Sequence, residues 1–147
     1  MPDGDNLPRI VMFADGAERT RQVVPFTALD SLDPEALWAY LADYEKRTGG
    51  EALAIPHNSN VSGGLMFRPL DVAGAPFTKD YAMRRARWEP LVEVTQIKGD
   101  SETHPLNSPN DEFAGYEIWD RANLGMRQDR KSTRLNSSHS SVSRMPS

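Results

Sequence analysis

Cysteine is missing altogether from the 147 residues, which removes disulfides, thiolate metal sites and any cysteine nucleophile from this chain. Histidine is scarce: His57, His104 and His139 are the three. No apolar run approaches the ~20 residues that span a bilayer. The opening Pro2-Asp3-Gly4-Asp5 has neither a basic n-region nor an apolar h-region. No membrane segment is expected in this piece. Basic charge is short as well, with 17 Lys and Arg against 21 Asp and Glu. A nucleic-acid surface asks for clustered Lys and Arg, so nucleic acid is not an expected partner. No glycine-rich phosphate-binding motif is present.

What is there divides at about residue 128. The last 19 residues, Asp129 to Ser147, include seven serines, no aromatic residue and four basic side chains against one acid. Residues 1–128 carry 13 basic and 20 acidic side chains, net −7. The serine-rich segment lacks the apolar area that would offset chain entropy, so 129–147 is expected to be a disordered tail. The string "DRKSTRLNSSHSSVSRMPS" also resembles the in-frame translation of a sequencing-adapter oligonucleotide. On that likeness it is left out of fold reasoning, and His139 with it. Residues 1–128 are then expected to be a fragment of a longer domain, and nothing in them tells where the protein resides.

Within 1–128, Arg9-Ile10-Val11-Met12-Phe13 is a β-like apolar run closed by the turn pair Asp15-Gly16. Asp33-Pro34-Glu35 predicts a helix start, with Asp as N-cap, Pro at the first helical position and an acid in the first turn. Leu37, Trp38, Leu41 and Tyr44 then recur at helical spacing until Gly49-Gly50 stop the helix. Residues 51–56 predict a short apolar strand. Thr78 is placed to cap a second helix through Trp88, and Leu91–Ile97, rich in β-branched residues, predicts another strand. Asn110 is placed to cap a last short helix carrying Phe113, Tyr116 and Trp119. Alternating strands and helices point to an α/β fold with parallel strands, and the length allows only a partial arc of a β/α barrel.

The chemistry concentrates where strands should end. His57 follows the apolar run Leu53-Ala54-Ile55-Pro56, and His104 lies in the loop after the next predicted strand. The carboxyl ends of strands are where β/α folds carry their sites. Two neutral imidazoles from adjacent parallel strands suit a divalent metal ion. Pro56 would fix the chain before His57, while Asn58 and Asn60 would hold the loop by local side-chain bonds. Lys98, Glu102 and Asp111 are candidate supporting or substrate-binding residues, with Asp111 placed to orient a ring nitrogen. The run Arg84, Arg85 and Arg87 reads as a solvated helix face, partly neutralised by Asp80 and Glu89.

Three blocks carry a likeness: "ALAIPHNSNVSGGLMF", "YAMRRARWEPLVEVTQIKGDSETHP" and "SPNDEFAGYEIWD". In that order they resemble the domain-of-unknown-function 3604 family of bacteria, over nearly all of residues 1–128. That family is similar to the polymerase-and-histidinol-phosphatase (PHP) group of distorted β/α barrels, which hold two or three metal ions for phosphoester hydrolysis. The resemblance implies that His57, and with it His104, are metal ligands, with Zn, Mn or Fe as the metal in the complete parent. It implies a small-molecule phosphoester substrate. The group's His-x-His pair, its following Asp-His, a mid-barrel Glu and the closing Asp-x-His have no counterpart here. Two histidines cannot hold a bridged pair of ions, so the expectation is an inactive piece of a metal-dependent hydrolase. The alternative is a piece of a non-catalytic, ligand-binding barrel.

Overall fold

A computed structural model describes residues 7–62, 64–100, 105 and 108–115. Glu102, His104, Tyr116, Trp119 and the segment 129–147 lie outside the described residues. The described residues form two compact units, one of Arg9–Pro56 with Pro69–Val92, the other containing the described residues of 57–68 and of 93–115. The chain mixes helix with a small antiparallel sheet.

The first unit is built on strand β1 (Arg9–Phe13), a short helical turn α1 (Ala17–Thr20), helix α2 (Pro34–Thr48), strand β2 (Ala52–Pro56) and helix α3 (Lys79–Trp88). Local signals set the limits of α2. The Asp33 carboxylate accepts the Glu35 amide proton at 2.9 Å, Pro34 occupies the first turn, and Gly49 ends the helix with φ 65°. A left-handed residue is cheap only for glycine, which is why the helix stops there. Helix α3 begins in the same manner, with the Thr78 hydroxyl accepting from the Tyr81 amide at 3.1 Å.

The core follows from the helical period of α2. Leu37, Trp38, Leu41 and Tyr44 are buried together with Ala52 and Ala54 of β2 and Tyr81 and Trp88 of α3. Phe13 meets Tyr44 edge-on at 4.7 Å, and Trp38 meets Tyr81 likewise at 5.2 Å. Each buried large side chain contributes roughly 1.5–3 kcal/mol, and the edge-on rings add to that. A charged knot lies among them. Glu89, whose side chain is 1% exposed, pairs with Arg9 at 2.9 Å and Arg85 at 3.1 Å, and accepts the Trp38 indole proton at 3.1 Å. Burial draws the Arg85 guanidinium below its ordinary pKa, and the Glu89 carboxylate opposes that shift. The arginine run is therefore divided: Arg85 is half-buried against Glu89, while the exposed Arg84 and Arg87 pair with Glu35 and Glu45 of α2.

The strand arrangement departs from the parallel arc expected above. Strand β1 pairs with β2 antiparallel, Arg9 opposite Pro56 and Phe13 opposite Ala52. The reason lies in the connection. The Ala14 amide donates to the Glu51 carbonyl at 3.0 Å, so the chain leaves β1 and enters β2 at the same end. A 15-residue helix is about 22 Å long. Residues 14–33 run outward over that length and α2 brings the chain back. Two passes make the strands antiparallel, where one helical pass would have made them parallel.

Asp15 locks this junction. Its carboxylate accepts from the Glu51 amide at 2.8 Å, the Tyr44 hydroxyl at 2.9 Å and Arg19 at 2.8 Å. The Glu51 amide above all holds the Asp15 carboxyl below its usual range, with Tyr44 and Arg19 helping against burial. Burial, reinforced by Asp15, pushes the Tyr44 hydroxyl up. Gly50 is required here: a Cβ would run into the Asp15 carboxylate and stand 2.8 Å from the Tyr44 oxygen.

In the second unit, residues 59–61 form a single 3-10 turn, and strands β3 (Thr95–Gln96) and β4 (Gly99–Asp100) make a minimal antiparallel hairpin. The predicted strand over 91–97 is thereby reduced to two residues. Leu91, Val92 and Val94 are each about half exposed, at 51%, 55% and 51%, so β-branched propensity finds no buried face to fill. Residues 108–115 form turns rather than the helix placed after Asn110, among the residues described.

Candidate functional site

The site begins where β2 ends. His57 is the first residue past Pro56, and its amide donates to the Pro8 carbonyl at 3.0 Å, extending the backbone pairing by one step. Its ring Nδ1 lies 2.7 Å from Glu93 Oε1. An ionised carboxylate only accepts, so Nδ1 carries the proton, and in the neutral ring Nε2 is left bare as the acceptor. The other Glu93 oxygen accepts the Asn58 amide proton at 2.9 Å. One carboxylate thus orients the imidazole and fixes the backbone of the next residue. A carboxylate behind a histidine raises the basicity of the far nitrogen and sets its direction, the usual arrangement behind a metal-ligating imidazole.

Asn58 itself is left-handed, φ 61° and ψ 36°, and it is the only non-glycine residue with positive φ among those described. It is buried, and its carboxamide Oδ1 has no hydrogen-bond partner among the described residues. Asn60 behaves differently. Its Nδ2 donates to the Lys98 carbonyl at 2.8 Å and its Oδ1 accepts from Gln96 at 3.4 Å. Gln96 in turn accepts the Lys98 amide at 2.9 Å. Asn60 therefore ties the loop after His57 to the β3–β4 hairpin. Ser62 closes the loop further, donating to the Ser59 carbonyl at 2.7 Å and accepting the Met66 amide at 3.2 Å.

The expected site residues fare unevenly. His57, Asn58, Asn60 and Lys98 come together in one unit, Lys98 through its backbone. At the His57 ring it is Glu93, not Asp111, that meets Nδ1, and Asp111 accepts from the Phe113 amide at 2.9 Å within its own turn. Among the described residues Asn58 makes no side-chain hydrogen bond that holds the loop, whereas Asn60 does. Glu102 and His104 are outside the described residues, so the pairing of His57 with His104 has no geometry here. Among the described residues, no group of three or more His, Asp or Glu side chains is arranged to hold a metal ion. Glu93 was missed. The signal was present as a carboxylate in the middle of the apolar run Leu91-Val92-Glu93-Val94, a position that a simple strand would give to a solvated or core side chain.

The family model described as "Protein of unknown function (DUF3604)" matches residues 1–142. The chain belongs to the DUF3604 family. The match spans both units and runs past the boundary drawn at residue 128. No curated protein and no solved structure matches the chain. Among the described residues of this DUF3604 chain, no helix is long and apolar enough to cross a membrane.

Proposed function

We propose that this chain is part of a metal-dependent hydrolase of the PHP type acting on small phosphoesters, and that His57 Nε2 is one of its metal ligands. The observation that carries the reading is the Glu93–His57 pair at the end of β2. A carboxylate on Nδ1 presents Nε2 as a directed, basic donor. The donor types fit a divalent ion such as Zn, Mn or Fe, for which imidazole nitrogen and oxygen ligands are ordinary. His57 would bind the ion, Glu93 would hold the ring, and Asn60 would keep the loop against the hairpin that carries Lys98. His104 is proposed as a further ligand on the likeness of its Glu-Thr-His-Pro setting. Such an ion, when bound, supplies an activated water and a Lewis acid for the phosphoryl oxygen.

The barrel of the PHP group would have to be completed through the outer edges of β1 and β2, neither of which pairs with another strand among the described residues. Metal content and phosphomonoester hydrolysis, measured together on the complete protein, test the reading. His57→Ala should lower both, and unchanged metal stoichiometry in that variant would return His57 to a structural role.

A further inference from the structure

Asn58 differs from Asn60, the other asparagine of its loop. It is 7% exposed and left-handed, and its buried Oδ1 has no hydrogen-bond partner among the described residues. A buried carboxamide oxygen normally finds a donor, and one that does not calls for an explanation such as a bound ion or water. Asn60, two residues on and 3% exposed, has both of its amide atoms bonded. Backbone geometry alone does not explain the choice of residue at 58. Glycine adopts φ 61° at lower cost than asparagine and would leave no oxygen unbonded. The position therefore keeps an oxygen that makes no hydrogen bond among the described residues.

Its surroundings indicate what the side chain serves. Glu93 grips the His57 ring with one oxygen and the Asn58 amide with the other. Adjacent residues thus carry two acceptors, imidazole Nε2 and carboxamide Oδ1, neither bonded to a described protein group. Two acceptors backed by a carboxylate attract a cation, and a mixed nitrogen and oxygen donor set suits a divalent metal ion. We infer that Asn58 Oδ1 is a second ligand atom for the cation held by His57. The inference rests on the reading of His57 given above.

Cobalt(II) titration of the full 147-residue chain tests it, followed by NMR of the His57 ring protons and by thermal unfolding without metal. Asn58→Gly keeps the left-handed backbone and removes the oxygen. It should weaken cobalt binding about fivefold and raise the unfolding midpoint of the metal-free chain. Asn58→Asp should tighten binding about tenfold, because ligand charge governs affinity at oxygen sites. Wild-type cobalt affinity in Asn58→Gly would overturn the inference, and so would a lowered midpoint, which would make the side chain a structural one. His57→Ala separates the two levels. Binding lost in His57→Ala but kept in Asn58→Gly defeats the role of Asn58 alone. Binding kept in both defeats the reading of His57 as well.

Discussion

Each of the two units has its own internal means of cohesion. Around α2 the buried side chains are large and apolar, with Leu41 and Tyr44 wholly inaccessible, and helix caps and the Asp15 junction fix the ends. Around His57 the buried residues are mostly polar: Asn58, Ser59, Asn60 and Ser62. That loop takes its shape from single hydrogen bonds to Glu93, Lys98 and Gln96. Apolar burial gives stability that depends on area and tolerates small shifts. Hydrogen-bonded loops give direction, and each bond lost leaves a buried group unpaired. The first unit is suited to hold a fold, the second to aim an imidazole.

Substitutions can break that contrast at several levels. The largest loss is expected for Trp38→Ala, which removes a core ring and leaves Glu89 without its indole partner. It should cost roughly 3–5 kcal/mol in urea unfolding, as large-to-small core changes do. An effect near zero would show that the apolar cluster does not carry the stability of its unit. Gly50→Ala should cost about 1–3 kcal/mol, since the new methyl meets Asp15 and Tyr44 and the junction must shift. Its effect should shrink but not vanish in an Asp15→Ala background, where the nearer obstruction is gone and the Tyr44 hydroxyl remains.

Glu93→Gln is expected to be milder for stability and sharper for the site. A carboxamide has one oxygen for two donors, so either the His57 ring or the Asn58 amide loses its partner, at about 1–2 kcal/mol. Unfolding should change modestly while the His57 ring signal broadens or moves. A large stability loss with an unmoved ring would reverse the assignment of roles. The smallest effect concerns acid. Asp15 is held below the ordinary carboxyl value of 3.8, so the unfolded chain takes up its proton first. Its contribution is fully present above that value and fades as pH falls below it. Asp15→Asn should flatten the stability curve measured by urea unfolding in that range, and an unaltered curve would assign the acid sensitivity to another group.

The same contrast explains how much the sequence could disclose. Helices α2 and α3 were legible because their signals are local: Asp33-Pro34-Glu35, the period of Leu37, Trp38, Leu41 and Tyr44, Gly49 and Thr78 all act within a few residues of themselves. The position of His57 at a strand end was legible for the same reason. Antiparallel pairing of β1 with β2 was not, because it depends on residues 14–33 running the length of α2, and nothing local in that stretch announces its path. Leu91–Ile97 misled because β-branched residues favour a strand only where a buried face receives them. Glu93 was hidden by distance, 36 residues from the ring it holds. Asn58 carried no warning at all, since asparagine in a turn is ordinary and only burial without a partner makes it unusual.

The central claim is that Glu93 fixes the His57 ring so that Nε2 is presented to a metal ion. Long-range proton–nitrogen NMR of the labelled chain, recorded first without metal and then with added zinc, reads both nitrogens directly. The account predicts a protonated Nδ1 and a bare Nε2, with zinc shifting Nε2 and leaving the Nδ1 proton in place. A ring protonated at Nε2, or one whose nitrogens ignore zinc, would contradict it.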